Sequence, residues 1–333
     1  MANYAKVCDV DYIHFLLAAQ TAFSCVEAAK TDGALPDPVA HDAYTRLLTR
    51  QPPEASALWQ ETKDYVQKES GLLVLDDTTL DKPHARRMEL VHKHWSGKHK
   101  RQVLGINLLT LLWTDGGAKL PLDCRLSNAP NDGIDKNQLF RKMLETAKKR
   151  TFSPQYVCFD SWYSGLDNLK AIRGHGWHWL TRLKSNRTVD PDGKGNVQIY
   201  LLDIPKEGKI VHLRGYGLVK VFVEVSEDLE DVGFWATSDL DMTEATRKQT
   251  ADQALAIEEY HRGLKQCCGV ERCQAWGERS QKNHIHFAIR AFVRLEYQRL
   301  ETGRSWYESK KYWLREAIQT FRQNMSLQIP TNA

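Results

Sequence analysis

Long hydrophobic runs are missing from this chain of 333 residues. Its longest apolar-rich stretch, Val103 to Trp113, is too short to span a bilayer, so no membrane-crossing helix is expected. The opening residues, MANYAKVCDVDYIHF, lack a basic region followed by an apolar run, and no secretory leader is expected either. Internal repeats and low-complexity segments are also lacking, which argues against a solenoid or a linker-rich protein. Cysteine is present but unorganised. The seven residues are scattered and odd in number, a pattern that suits a reducing compartment better than a disulfide framework. Cys267, Cys268 and Cys273 lie near His261, yet no second pair with finger-like spacing accompanies them, which disfavours zinc. Net charge is small: 46 Lys and Arg against 42 Asp and Glu give +4, permissive for a nucleic-acid partner without requiring one. The length is enough for two or three modules with cores that need no staples.

What is present is organised around Gly71-Leu-Leu-Val-Leu-Asp-Asp-Thr-Thr79. Four apolar residues run into two carboxylates and two hydroxyls, as in a strand buried on both faces, although a buried helical segment has the same pattern. Asp76 and Asp77 would then sit at the mouth of a sheet, where cations are needed to offset them. An adjacent pair of aspartates also caps turns, and both readings stand at this point.

Upstream, residues 1–70 read as helical, with helices over about 11–29, 41–50 and 55–69, a turn at Gly33 to Pro38 and a break at Gln51-Pro52-Pro53. Such a module could bind DNA or cover the sheet. Downstream, Lys82 to Arg101 is a dense basic run holding Arg86, Arg87, Lys98, Lys100, Arg101 and one aromatic, Trp95. It is either a solvated face or a surface that follows phosphates. Val103 to Trp113 and Lys119 to Leu126 flank Thr114-Asp-Gly-Gly117 and make a β-hairpin. A helix over Lys136 to Arg150 follows, with basic residues in its last turn. Gln155 to Asp160 is a second apolar strand ending in a carboxylate, then a helix over 165–173 and a strand over 177–183. Residues 184–242 change to short alternating runs, a β-rich insertion. Helices return over about 243–268, 272–300 and 311–323, and the last residues are expected to be disordered.

Three carboxylates stand out: Asp77, Asp160 and Glu258. Hard divalent cations take oxygen ligands, and one or two carboxylates with a substrate phosphate hold each ion. Two Mg²⁺ ions, for which Mn²⁺ can substitute, suit an in-line phosphoryl displacement. Glu258 and Lys265 are seven residues apart, two helical turns, with Arg262 between them on the same face, placed to contact phosphates. Trp162 and Tyr163, next to Asp160, are aromatics that could face DNA. The histidines at 92, 94 and 99 read as surface or phosphate contacts, and His284 and His286 as packing or capping residues. Trp177 and Trp179 read as sheet core.

These segments resemble a DDE transposase of a bacterial insertion sequence, the branch with a β-strand insertion in an RNase H-like core. The resemblance rests on Leu75-Asp-Asp-Thr-Thr79, Cys158-Phe-Asp-Ser-Trp-Tyr163 and Ile257-Glu-Glu-Tyr-His-Arg-Gly-Leu-Lys265, and it runs over essentially the whole chain. It implies an α/β fold with an RNase H-like mixed sheet flanked by helices. In that frame residues 1–70 are a helical DNA-binding part and 71–183 the first part of the core. Residues 184–242 are the insertion, 243–300 the core continued, and 301–333 a C-terminal helix and tail. The family pattern puts its first aspartate before a threonine, which selects Asp77 over Asp76, and its glutamate seven residues before a lysine, which selects Glu258 over Glu259. The family's arginine and tyrosine, four and seven residues before the glutamate, are Ala254 and Ala251 here, with Arg247 and Lys248 as partial substitutes. The resemblance further implies metal-dependent cleavage of element ends and joining of 3′ hydroxyls to target DNA. A homodimer on paired ends of double-stranded DNA, in the nucleoid of a bacterial cytoplasm, goes with it. A plain RNase H-like nuclease and a transposase-derived DNA binder without catalysis are the rival readings.

Overall fold

The computed structural model describes residues 5–32, 38–52, 55–96, 100–225 and 232–324. The expected turn at 33–38 falls almost wholly outside these residues, as do Pro53, Lys98, His99 and the tail from 325 onward. Two compact units emerge: Met1–Glu54 with Arg86–Glu89 and Arg262–Ala333, and Ala55–Ala85 with Leu90–His261. The cuts differ from the expected order of parts because the first unit gathers helices from both ends of the chain. Among the described residues no helix is long and apolar enough to cross a membrane.

The first unit is helical. It contains α1 (Asp9–Ala18), α2 (Cys25–Thr31), α3 (His41–Arg50), α10 (Glu278–Thr302) and α11 (Trp306–Asn324). The single helix expected over 11–29 is thus two, with Ser24 capping the second by accepting from the Glu27 N–H. The buried side of α10 carries Ile285, Ala288, Phe292 and Leu295, and α1 and α3 pack on this helix. Buried polar groups are satisfied there: Asn283 donates to the carbonyls of Leu48 and Gln51, and His284 lies between Tyr12 Oη (2.9 Å) and the Gly269 carbonyl (3.0 Å). His284 is therefore a packing residue.

The second unit opens with α4 (Ser56–Thr62) and holds a nine-stranded mixed sheet. Its strands are β1 (Leu72–Asp81), β2 (His92–Ser96), β3 (Arg101–Thr114), β4 (Leu120–Ser127), β5 (Tyr156–Phe159), β6 (Trp179–Leu183), β9 (Lys209–Leu213), β10 (Gly217–Val225) and β11 (Val232–Thr237). They lie in the order β2-β3-β1-β5-β6-β11-β10-β9, with β4 also on β3. The expected hairpin is β3–β4, and β1 is central, antiparallel to β3 and parallel to β5. That position explains its unbroken apolar run: Leu72 to Leu75 are all buried. Trp177 and Trp179 are buried as expected of sheet core.

Three features depart from the sequence pattern. The basic run contains a strand, β2, hidden by its His and Lys content; it is an edge strand, where charge is tolerated and discourages pairing with other chains. The β-rich stretch after β6 is no separate body. Its strand β11 pairs antiparallel with β6, and β10 and β9 follow, so the central sheet simply grows; β7 (Thr188–Val189) and β8 (Val197–Gln198) form a small ribbon beside it. The helix expected over 243–268 is interrupted at Leu255, giving α8 (Glu244–Ala254) and α9 (Ala256–Cys267).

The remaining helices are α5 (Ala129–Asp132), α6 (Lys136–Lys149) and α7 (Leu166–Gly174). The start of α6 is fixed by a capping box: the Asp135 side chain accepts from the Gln138 N–H and the Gln138 side chain accepts from the Asp135 N–H.

Entry into β1 depends on Gly71. Its φ is +72°, and a Cβ there would stand 2.6 Å from the Thr114 carbonyl oxygen. Gly71→Ala is therefore expected to lower unfolding stability by about 2 kcal/mol or more, from left-handed backbone strain and the clash together. A denaturant midpoint equal to wild type would show that the approach of β1 to β3 is not as close as described.

Candidate active site

Alternation along β1 sends Asp76 and Asp77 to opposite faces of the sheet. On the Asp77 face the carboxylate is fully engaged. Lys136 Nζ, at the first turn of α6, lies 3.0 and 3.1 Å from its two oxygens. Asn107 Nδ2 on β3 and the Tyr163 hydroxyl each donate to it at 2.5 Å. Burial alone would push the Asp77 carboxyl up. The Lys136 charge and the hydrogen bonds of Asn107 and Tyr163 outweigh it and hold the group below the usual carboxylate range.

On the other face, Asp76 lines a cleft of about 490 Å³ together with Asp160 and Glu258. Register explains the first pairing: parallel β1 and β5 match Leu75 with Phe159, so the next residues are Asp76 and Asp160. Asp160 is exposed and caps the 3-10 turn Ser161–Tyr163 by accepting from the Ser161 N–H. Glu258 is exposed in the first turn of α9, where the break at Leu255 delivers it; the Leu255 carbonyl accepts from the N–H groups of both Glu258 and Glu259. The neighbouring Glu259 is turned to Lys119 at 3.1 Å, which separates the two glutamates.

The cleft's charge is unbalanced. Burial first, then the charges of Asp77, Asp160 and Glu258, push the Asp76 carboxyl up to about 7. The nearest cationic candidate is His261, buried, with Nδ1 3.8 Å from Asp76 Oδ2. Among the described residues, no group of three or more His, Cys, Asp or Glu is placed to hold a metal ion as it stands. In kind the donors suit a hard cation: of the five carboxylates lining the open cleft, Glu224 is engaged by arginines and Trp235, while Asp76, Asp160 and Glu258, with Asp252, leave a repulsion that a divalent ion would relieve. Such ions keep waters and take substrate oxygens, so a closed cage is not required.

Arg182, Glu224 and Trp235 also line the cleft. Glu224 accepts from Arg182 (2.9 Å), Trp235 Nε1 (2.9 Å) and Arg247 (3.0 Å). Arg247 is 2% exposed and also held by Glu244, so it is not available to stand in for the side chains absent at Ala251 and Ala254. Those two alanines line the cleft and leave it wide.

The expected DNA-contacting residues divide. Trp162 is 46% exposed, with Lys136 Nζ 4.2 Å from its ring centroid. Tyr163 is fully buried and spends its hydroxyl on Asp77, so it presents no face to DNA. Lys100 and Arg101 are exposed where β3 begins. Arg86, Arg87, Arg262 and Lys265 belong to the helical unit; the first three are exposed, and Lys265 pairs with Glu271 at 3.1 Å. In the sequence alone Lys136 and Asn107 carry no role, His261 is weighed only for zinc, and Asp76 is set aside for Asp77 on the family pattern; strand alternation is the signal that puts the two aspartates on different faces.

A central mixed sheet thus sets Asp76, within β1, beside Asp160, just after β5, and the helix α9 brings Glu258 to the same cleft. The family described as the transposase DDE domain matches residues 67–294, and the chain belongs to it. Members of this family use divalent metal ions. A solved piggyBac transposase in a synaptic complex with hairpin DNA has a similar fold, with a TM-score of 0.53 at 10% identity over 98% of this chain and 77% of that one. No curated protein sequence matches the chain.

The two faces of β1 predict opposite stability effects. Asp77→Ala strands Lys136 and two hydrogen-bond donors and is expected to cost about 1–3 kcal/mol. Asp76→Ala removes a repelled carboxylate and is expected to leave the metal-free melting temperature unchanged or raise it by a few degrees, about 1 kcal/mol. Thermal unfolding in EDTA checks both, and the reverse order would exchange the roles of the two aspartates.

Proposed function

We propose that the chain is a DNA transposase that cuts the ends of its own insertion element and joins the freed 3′ hydroxyls to target DNA. The observation that carries this is the shared cleft of Asp76, Asp160 and Glu258 within a chain of the transposase DDE domain family. The geometry favours Asp76 over Asp77 as the first carboxylate, because only Asp76 lines the cleft with the other two. Asp77 becomes a positioning residue that ties β1 to α6 and to the turn after Asp160.

Asp76, Asp160 and Glu258 would hold one or two Mg²⁺ ions, with Mn²⁺ as a substitute. Bound there, such ions would make water a stronger nucleophile and stabilise charge on the phosphate oxygens. The chain's own residues supply the rest. His261 stands beside Asp76, its Nδ1 3.8 Å from the carboxylate. Ala251 and Ala254 leave room for a strand, and Arg182 faces the cleft as a cation already half-engaged by Glu224. In the first displacement a water oxygen bonds to phosphorus and the 3′ oxygen leaves with a proton. In the second that 3′ hydroxyl is the nucleophile at a target phosphate, and the target's own 3′ oxygen leaves. Both displacements need the same surroundings, so one cleft can serve them.

The partners on this reading are double-stranded element ends and target DNA, held by a homodimer in the bacterial nucleoid. The exposed cations Arg86, Arg87, Lys100, Arg101 and Arg262 are proposed to add phosphate contacts. Lys265, from the glutamate motif, and Lys98, from the basic run, are proposed as further contacts on the sequence alone.

Purified protein with its gene's flanking DNA is expected to nick defined ends in Mg²⁺ and yield joined products, and to do neither in EDTA. Asp76→Asn, Asp160→Asn and Glu258→Gln should each lower cleavage by about 10²-fold or more. Asp77→Asn should retain more activity than any of these. Cutting without joining would indicate a nuclease, and binding without cutting in either metal a DNA-binding protein.

A further inference from the structure

Next to the acidic cleft, the sheet-bearing unit has a second concavity, of about 620 Å³, whose charge has the opposite sign. It begins at Ser161 and Trp162, immediately after Asp160, and its far wall carries Lys184, Arg187 and Arg214. No Asp or Glu is among its described lining residues. Lys184 and Arg214 are exposed, whereas Arg187 is half-buried and burial pushes its guanidinium below the ordinary range. A half-buried guanidinium with no acid across the groove carries a desolvation cost that an anionic ligand would offset. The groove also receives the N-terminus of α7, where Gly165 provides no side-chain cap for the first N–H groups. Trp162 adds an aromatic surface that keeps 46% of its area open although Lys136 stands over its ring.

We propose that this groove receives an unpaired DNA strand next to the acidic cleft, with its phosphates against Lys184, Arg187 and Arg214 and one base stacked on Trp162. The proposal rests on the transposase reading and states where a strand leaving the cleft would run. An unpaired strand fits better than a duplex because an indole can stack only on a base whose face is free, whereas cations alone would serve either. Strand separation at the cut end would supply such a segment.

The test is equilibrium binding of a fluorescein-labelled oligothymidylate to the full chain, measured by anisotropy over a salt series, with a duplex of equal length in parallel. Wild type is expected to bind the single strand more tightly than the duplex. Lys184→Gln with Arg214→Gln, both at exposed positions, should weaken single-strand binding about tenfold and reduce the salt slope by about 1.4, the value for two lost phosphate contacts. Trp162→Ala should weaken it about tenfold with little change in slope, and Trp162→Tyr should restore most of it. Equal melting temperatures confirm folding, and Arg187→Gln is added where they hold. Single-strand binding unchanged in these variants, absent from wild type, or weaker than duplex binding would overturn the groove assignment. Cleavage is scored separately: a wild type that binds as expected but never cuts defeats the transposase reading and leaves the groove standing.

Discussion

The Lys136–Asp77 ion pair, with Asn107 and Tyr163 closing on the same carboxylate, is the interaction on which the site depends. It joins the central strand β1 to the start of α6 and to the turn behind Asp160. By neutralising one of two adjacent aspartates in the middle of β1, it lets the strand cross the sheet without two uncompensated buried charges. The second, Asp76, is left on the other face with Asp160 and Glu258, and burial and like charges raise its carboxyl. Anchoring and chemistry are thus separated by a single residue step, because a strand turns successive side chains to opposite faces.

The same logic extends outward. Parallel pairing of β1 with β5 sets Asp160 beside Asp76, and the interruption at Leu255 starts a fresh helix just before Glu258. Glu259 is drawn to Lys119 and away from the cleft. Beyond Asp76, Asp160 and Glu258, the cleft is lined by Arg182, Glu224 and Trp235 from strands β6, β10 and β11. The added strands after β6 therefore build part of the site itself. Arg247 contributes as a buried tie between Glu244 and Glu224.

Much of this was legible in the sequence, for identifiable reasons. Apolar runs long enough to bury both faces marked β1, β3 and β5, and basic residues in its last turn marked α6. Carboxylates after two apolar runs and a glutamate two turns before Lys265 pointed to a site, although Asp76 and Asp77 stand in the middle of β1 and not at the mouth of the sheet. What was not legible came from contacts distant in sequence. That Asp77 is engaged and Asp76 is not depends on Lys136 and Asn107, which lie far along the chain and carry no local signal. Tyr163 looked like a DNA-facing aromatic because nothing in Ser161-Trp-Tyr163 tells which ring turns inward. Strand β2 was concealed by its histidines and lysines, since edge strands obey no apolar rule. The growth of the sheet through β11 was concealed because pairing partners are not written in alternation alone.

The central claim is that the metal-binding face of β1 is the Asp76 face. Titration of the DNA-free protein with Mn²⁺, followed by electron paramagnetic resonance, tests it most directly in wild type, Asp76→Asn and Asp77→Asn. Binding lost in Asp76→Asn and kept in a folded Asp77→Asn is the predicted result. Binding kept in Asp76→Asn and lost in a folded Asp77→Asn would contradict the account and return the site to the other face of the strand.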